Sequence, residues 1–174
     1  NAGDRINNGA DDDGSGSAAL IGLANAFTKG PRPRRSIMLA WHAGEERGLW
    51  GSRYLADHPP VPIESIVAQL NIDMIGRNRD NKSSEENTVY AVGADRISTD
   101  LHNILIDANT GMPVPMNINF EMNDASDPER IYFRSDHFSY AAKGIPVIFF
   151  FTGLHPDYHQ VTDEPQYIDY PHYS

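Results

Sequence analysis

The groups that could do chemistry lie in a few short stretches. Asp11-Asp12-Asp13 runs into Gly14-Ser15-Gly16, Glu45 and Glu46 form a pair, Asp73 closes an apolar run, and Tyr158-His159 stands near the end of the chain. Each falls where a strand gives way to a loop or a loop to a helix. Carboxylates and an imidazole at such junctions suit a hard-to-borderline divalent cation, zinc above all. Adjacent glutamates within a strand would point to opposite faces, but in a loop just past a strand both can turn to one site. One can then bind metal while the other takes a proton from metal-activated water, whose pKa falls to about 7, and carries it to a leaving amine. Gly44 and Gly48 flank the pair and give its backbone room to turn.

The elements that must position these groups read as follows. Residues 1–14 are polar and rich in Gly, Asn and Asp, hence loop. Ala18, Ala19, Leu20, Leu23, Ala26 and Phe27 fall at helical spacing over 15–29, with Ser15 or Ser17 as cap and Gly30-Pro31 as the stop. Apolar runs at 36–41, 66–72 and 145–151 have the length and continuity of strands buried on both faces. Residues 88–92 read as a short strand, 52–57 and 135–143 as short helices, and 98–109 as a helix capped by Ser98. Residues 76–87 read as a surface loop, 111–130 as irregular with weak strand signals, and 152 onward as loop. Strands alternating with helices predict an α/β fold: a three-layer sandwich whose mostly parallel central sheet carries helices on both faces. Ligands of such folds bind beyond the carboxyl ends of the strands. Glu45, Glu46, Asp73 and His159 all follow strands there, and Asp11 precedes a helix N-terminus that favours a carboxylate.

A length of 174 residues, 40% hydrophobic and 22% charged, fits one domain with a real core. A net charge of -10 argues against nucleic acid as a partner. The absence of cysteine excludes disulfides, thiolate zinc sites and a thiol nucleophile. No apolar run reaches the length of a membrane span. The chain opens on Asn rather than Met, in what reads as the middle of a loop.

Asn-Gly-Ala-Asp-Asp-Asp-Gly-Ser-Gly (8–16), Ala-Gly-Glu-Glu-Arg-Gly-Leu-Trp-Gly-Ser (43–52), Asn-Ile-Asp-Met-Ile-Gly (71–76), Ser-Asp-His (135–137) and Asp-Tyr-His-Gln-Val-Thr-Asp-Glu (157–164) resemble, in order and over nearly the whole chain, the M28 family of zinc exopeptidases. The resemblance implies an aminopeptidase with two zinc ions in the parent protein, acting on peptide or protein N-termini. It implies Asp11 as the carboxylate shared by both metals, with a cis peptide to the next Asp. Glu46 and His159 are implied as the other ligands of one zinc, and Asp73 as a ligand of the second. Glu45 is implied as general base, Tyr158 as hydrogen-bond donor to the oxyanion, and Asp136 and Asp163 as supporting residues. Export to the periplasm or medium is implied in the same way.

One departure bears on metal content. The family's remaining ligand is a histidine in a His-x-Asp motif upstream of the triplet, and no histidine precedes Asp11 here. The chain also stops at Ser174, where relatives continue into a helix. Residues 1–174 are therefore expected to be a single M28-like peptidase domain lacking its N-terminal strands and C-terminal helix, with one zinc or none held and activity impaired. The alternatives are a glutaminyl cyclase-like transferase with a single zinc, whose ligands would match Asp11, Glu46 and His159, and a non-catalytic binding domain on a peptidase fold. The intact Glu45 argues against the last, because binding needs no base. His155 lies four residues before His159, but the intervening Pro156 argues against a helical ligand pair, leaving His159 alone. His42, at the end of a predicted strand, reads as a packing or supporting residue.

Overall fold

Asp13, rather than Ser15 or Ser17, caps the first helix. In the computed structural model its carboxylate accepts the Gly16 N–H at the head of α1 (Gly14–Lys29), and the Gly30 N–H closes the far end on the Ala26 carbonyl. The structure describes residue 3 and residues 5–173. Residues 1, 2 and 4 of the expected opening loop, and Ser174, lie outside the described residues. The chain divides into two compact units, Asn1–Trp41 with Ile72–Glu86 and Thr152–Ser174, and His42–Asn71 with Asn87–Phe151.

The second unit carries the sheet. Strands β1 (Gln69–Ile72), β2 (Thr88–Val92), β3 (Asn117–Asn119) and β4 (Val147–Phe151) lie in the order β1-β4-β2-β3. Strand β2 pairs parallel with β3, through the crossover helix α3 (Thr99–Thr110), and antiparallel with β4. The α/β class stands, with strand directions mixed rather than mostly parallel. A strand buried on both faces is apolar throughout whichever way it runs, so its composition does not record direction.

Register sorts the side chains by layer. Ala91 pairs with Phe150, and both face α3, where Ala91, Ala94 and Ile148 pack with Leu101, Leu105 and Ile118. Val92 pairs with Phe149 on the opposite face, where the buried His137 ring of α4 (His137–Ala141) stacks on Phe149 at 4.7 Å. Burial holds the His137 pKa down to about 3. Helix α2 (Trp50–Asp57) joins α4 through the buried pair Ser52 Oγ–Ser139 Oγ, 2.8 Å.

The run at 36–41 is not a strand. Ile37, Met38 and Trp41 are about half exposed, and a strand requires a partner for its N–H and C=O groups; none among the described residues pairs with it. The run at 66–72 forms only the four-residue edge strand β1, with Val67 and Leu70 exposed. In the first unit the expected terminal loop carries a single 3₁₀ turn, Pro165–Tyr167, and α5 (Tyr170–Tyr173), whose Tyr173 hydroxyl donates to the Ser15 carbonyl at 2.8 Å. No helix among the described residues is long and apolar enough to cross a membrane.

Candidate metal centre

The acidic triplet is held by two distant stretches. The Asp163 carboxylate, almost fully buried, accepts the Asp11 N–H on both oxygens at 3.1 Å and the Asp12 N–H at 3.0 Å. Its own carbonyl accepts the Ala10 N–H. From the other side, the segment after β1 donates three N–H groups: Met74 to Asp13 Oδ1 (3.3 Å), Ile75 to Ser15 Oγ (3.0 Å) and Gly76 to Asp11 Oδ1 (2.6 Å). Gly76 must be glycine there, since a Cβ would stand 2.9 Å from that Asp11 oxygen and 2.8 Å from Ile168.

The three carboxylates consequently differ. Asp11 is fully buried, with Oδ1 on Gly76 and Oδ2 3.1 Å from Nε2 of the equally buried His155. Asp13 serves as helix cap. Burial, and then the neighbouring Asp73 carboxylate, push its pKa well above the ordinary carboxylate range, against the pull of the Met74 and Gly16 N–H groups. Asp12 turns the other way: its Oδ2 lies 3.2 Å from His159 Nε2, and its side chain is 13% and that of His159 46% exposed, so both reach solvent. Asp11, expected to be the shared ligand, has both oxygens committed inside the protein; the carboxylate that meets His159 is Asp12. The cis peptide likewise follows Asp12 rather than Asp11.

The loop after β4 delivers the histidines. Thr152 donates to the Met74 carbonyl from its N–H (3.1 Å) and hydroxyl (2.8 Å). Arg77, buried, pairs with Asp157 at 2.9 Å. The Thr162 hydroxyl, and then Arg77, hold the Asp157 carboxyl below its ordinary range. Directly after Asp157, Tyr158 stacks on His159 at 3.8 Å between ring centroids. Asp73, half-buried, directly follows β1.

In the second unit Glu45 and Glu46 open a single 3₁₀ turn, Glu45–Arg47, Glu45 half-buried and Glu46 exposed. Gly44 (φ 69°) and Gly48 (φ 102°) bracket it in the left-handed region, the freedom expected of them. Asp136 pairs with His42, Nδ1 to Oδ2 3.3 Å. Sequence reasoning missed Asp12 as the outward carboxylate and His155 as the partner of Asp11. The four-residue spacing of His155 and His159 was the one available sign of the latter.

The sequence matches the model of peptidase family M28 over residues 2–174. The chain belongs to peptidase family M28. It is 38% identical over 78 residues to a probable zinc metalloprotease of Leptosphaeria maculans, covering 45% of this chain and 18% of that protein. The crystal structure of the Legionella pneumophila aminopeptidase LapA superposes with a TM-score of 0.76 at 27% identity, covering 95% of this M28 chain and 43% of LapA. The Porphyromonas gingivalis glutaminyl cyclase superposes at 0.66 with 18% identity, over 95% of this chain and 61% of that one, which shows a shared fold. This M28 chain thus spans less than half the length of the first two.

Proposed function

We propose that this chain carries the catalytic site of a zinc-dependent aminopeptidase that hydrolyses the N-terminal peptide bond of peptides and proteins. The observation that carries the reading is the Asp12–His159 pair. Tetrahedral zinc, with bonds of about 2.0–2.1 Å, holds any two ligand atoms about 3.3 Å apart. The two side-chain atoms stand at 3.2 Å, one oxygen and one nitrogen, on side chains that both reach solvent. The donor set fits zinc. Asp12 takes the role that the family resemblance gave to Asp11, and Glu46 completes this ligand set by that resemblance. Asp73 is proposed for a second zinc.

Bound zinc supplies Lewis acidity toward the scissile carbonyl and acidifies water. Glu45 accepts the proton of the attacking water and returns it to the departing amine. Tyr158, its ring fixed against His159, is placed to donate a hydrogen bond to the developing oxyanion. Asp163, Gly76 and the Arg77–Asp157 pair keep the ligand-bearing loops in place without touching substrate. Support for the peptide substrate comes from LapA, an aminopeptidase of the same fold. The shared fold with a cyclase keeps one alternative, ring closure of an N-terminal glutamine.

Zinc content after dialysis, with turnover of leucine p-nitroanilide and of a glutaminyl peptide, tests the reading. The wild type is expected to retain zinc and release leucine. Asp12→Ala is expected to lose the metal, whereas Asp11→Asn keeps it. Zinc retention by Asp12→Ala would overturn the ligand assignment, and cyclisation without leucine release would transfer the protein to the cyclase reading.

A further inference from the structure

His42 opens the loop that leads through Ala43 and Gly44 to Glu45, and both of its ring nitrogens are engaged. Nδ1 lies 3.3 Å from Asp136 Oδ2 and Nε2 lies 2.9 Å from the Tyr140 hydroxyl. A carboxylate only accepts, so Nδ1 carries the hydrogen and Nε2 receives the Tyr140 O–H. Burial, and then Asp136, push the Tyr140 pKa up to about 12, which keeps that hydroxyl protonated and donating. The ring has no edge left for a ligand or a substrate.

The anchors come from one stretch. Asp136, Ser139 and Tyr140 sit at i, i+3 and i+4, the spacing that brings helical side chains to one face. Asp136 and Tyr140 take His42, and Ser139 takes Ser52 of α2. Between these two attachments the chain folds back on itself. Gly51 N–H donates to the Ala43 carbonyl (2.8 Å), and Leu49 and Gly48 N–H donate to the Glu45 carbonyl (2.8 and 2.9 Å). Three residues of this loop, Gly44, Gly48 and Leu49, hold left-handed backbone. The Arg47 and Trp50 N–H groups also donate to the Gly44 carbonyl (both 3.2 Å), so the loop is a compact turn hung between its two attached ends.

We propose that His42 is a positioning residue: braced between Asp136 and Tyr140, it fixes the root of the loop that presents Glu45 and Glu46. The identity of what the pair serves rests on the aminopeptidase reading above; the bracing itself does not. The strut acts only through the loop and touches neither metal nor substrate.

Amide hydrogen exchange on the metal-free protein separates the two. His42→Phe keeps the ring volume and removes both bonds. It is expected to speed exchange of the Gly48, Leu49 and Gly51 amides about tenfold while leaving the β2 amides of Val89–Val92 unchanged. Asp136→Asn should act similarly, and the double variant should add little to either, as for two parts of one unit. His42→Asn, whose amide can still donate to Asp136, should restore most of the protection. Unchanged loop exchange in His42→Phe, or acceleration spread equally over β2, would overturn the proposal. Where the wild type binds zinc, His42→Phe should also weaken it by about 10- to 100-fold and lower kcat with little change in KM. Wild-type zinc affinity in His42→Phe would likewise overturn it. Failure of the wild type to bind zinc would instead defeat the aminopeptidase reading and leave the exchange result to decide the strut.

Discussion

Asp163→Ala should be a damaging change at the base of the acidic triplet. The carboxylate takes the N–H of Asp11 on both oxygens and the N–H of Asp12 on one. Hydrogen bonds to a charged acceptor contribute about 1.5–3 kcal/mol each, and a buried donor left unmade costs about 1–3. Two orphaned donors give a gross loss of about 3–6 kcal/mol. Removing a buried charge returns part of its desolvation cost, so a net of about 3 is expected. Asp163→Asn behaves differently. Its single carbonyl oxygen, placed where Oδ2 stands, can still accept both N–H groups, and only the second contact to Asp11 turns into an opposed donor pair. It should lose about 1 kcal/mol. Against a total of roughly 5–15 kcal/mol, both variants remain folded at 25 °C. Urea denaturation should show midpoints in the order wild type, Asn, Ala at constant m-value. An Ala variant within 0.5 kcal/mol of wild type, or one more stable than Asn, would refute the accounting, since neither outcome is compatible with two buried amides depending on this carboxylate (threshold set by the roughly 0.5 kcal/mol scatter of neutral substitutions).

Other expectations follow from single residues. Glu45→Gln should retain zinc and lose on the order of 10²- to 10⁴-fold in kcat, measured by metal analysis beside turnover; an active variant removes Glu45 from the role of base. His137 bears on pH. Its folded pKa of about 3 lies below the ordinary 6.5, so the stability it contributes is full above pH 6.5 and drains away as pH falls toward 3. Between pH 6.5 and 5 the wild type should lose about 2 kcal/mol more than His137→Phe, at up to ~1.4 kcal/mol per pH unit; parallel pH profiles would contradict this. Gly51→Ala places a methyl 2.5 Å from the Ala43 nitrogen and 2.7 Å from its carbonyl oxygen. It should cost about 1–3 kcal/mol, and an unchanged Tm speaks against the tight return of that loop.

How much was legible in the sequence depended on how local the cause was. Strand β2 lies within the bounds expected because every residue of Thr88–Val92 is buried, so composition alone marks it. Ser98 as cap of α3 was legible for the same reason: the bond to Leu101 N–H closes within one turn. The run at 36–41 has the same apolar character but no strand beside it among the described residues, and pairing is not written into one segment's composition. The triplet shows the limit most sharply. Asp11, Asp12 and Asp13 are chemically identical, and the groups that sort them, Gly76 and His155, stand 65 and 144 residues from Asp11. Motif matching brought the right stretch together, but only folded backbone decides which of its carboxylates turns outward.

The bond from Asp163 back to Asp11 spans 152 residues. On a ribosome, the start of this chain emerges long before the residue that fixes its acidic loop has been made. Closing a loop of that length costs on the order of 4 kcal/mol in chain entropy, so the loop gains its shape only once Asp163 has been made. The order of events is thereby set: α1 and the sheet can form during synthesis, while the carboxylate that holds the acidic triplet arrives only when translation has passed Asp163. A nascent chain released before Asp163 would leave the Asp11 and Asp12 N–H groups without the carboxylate that holds them in the folded protein.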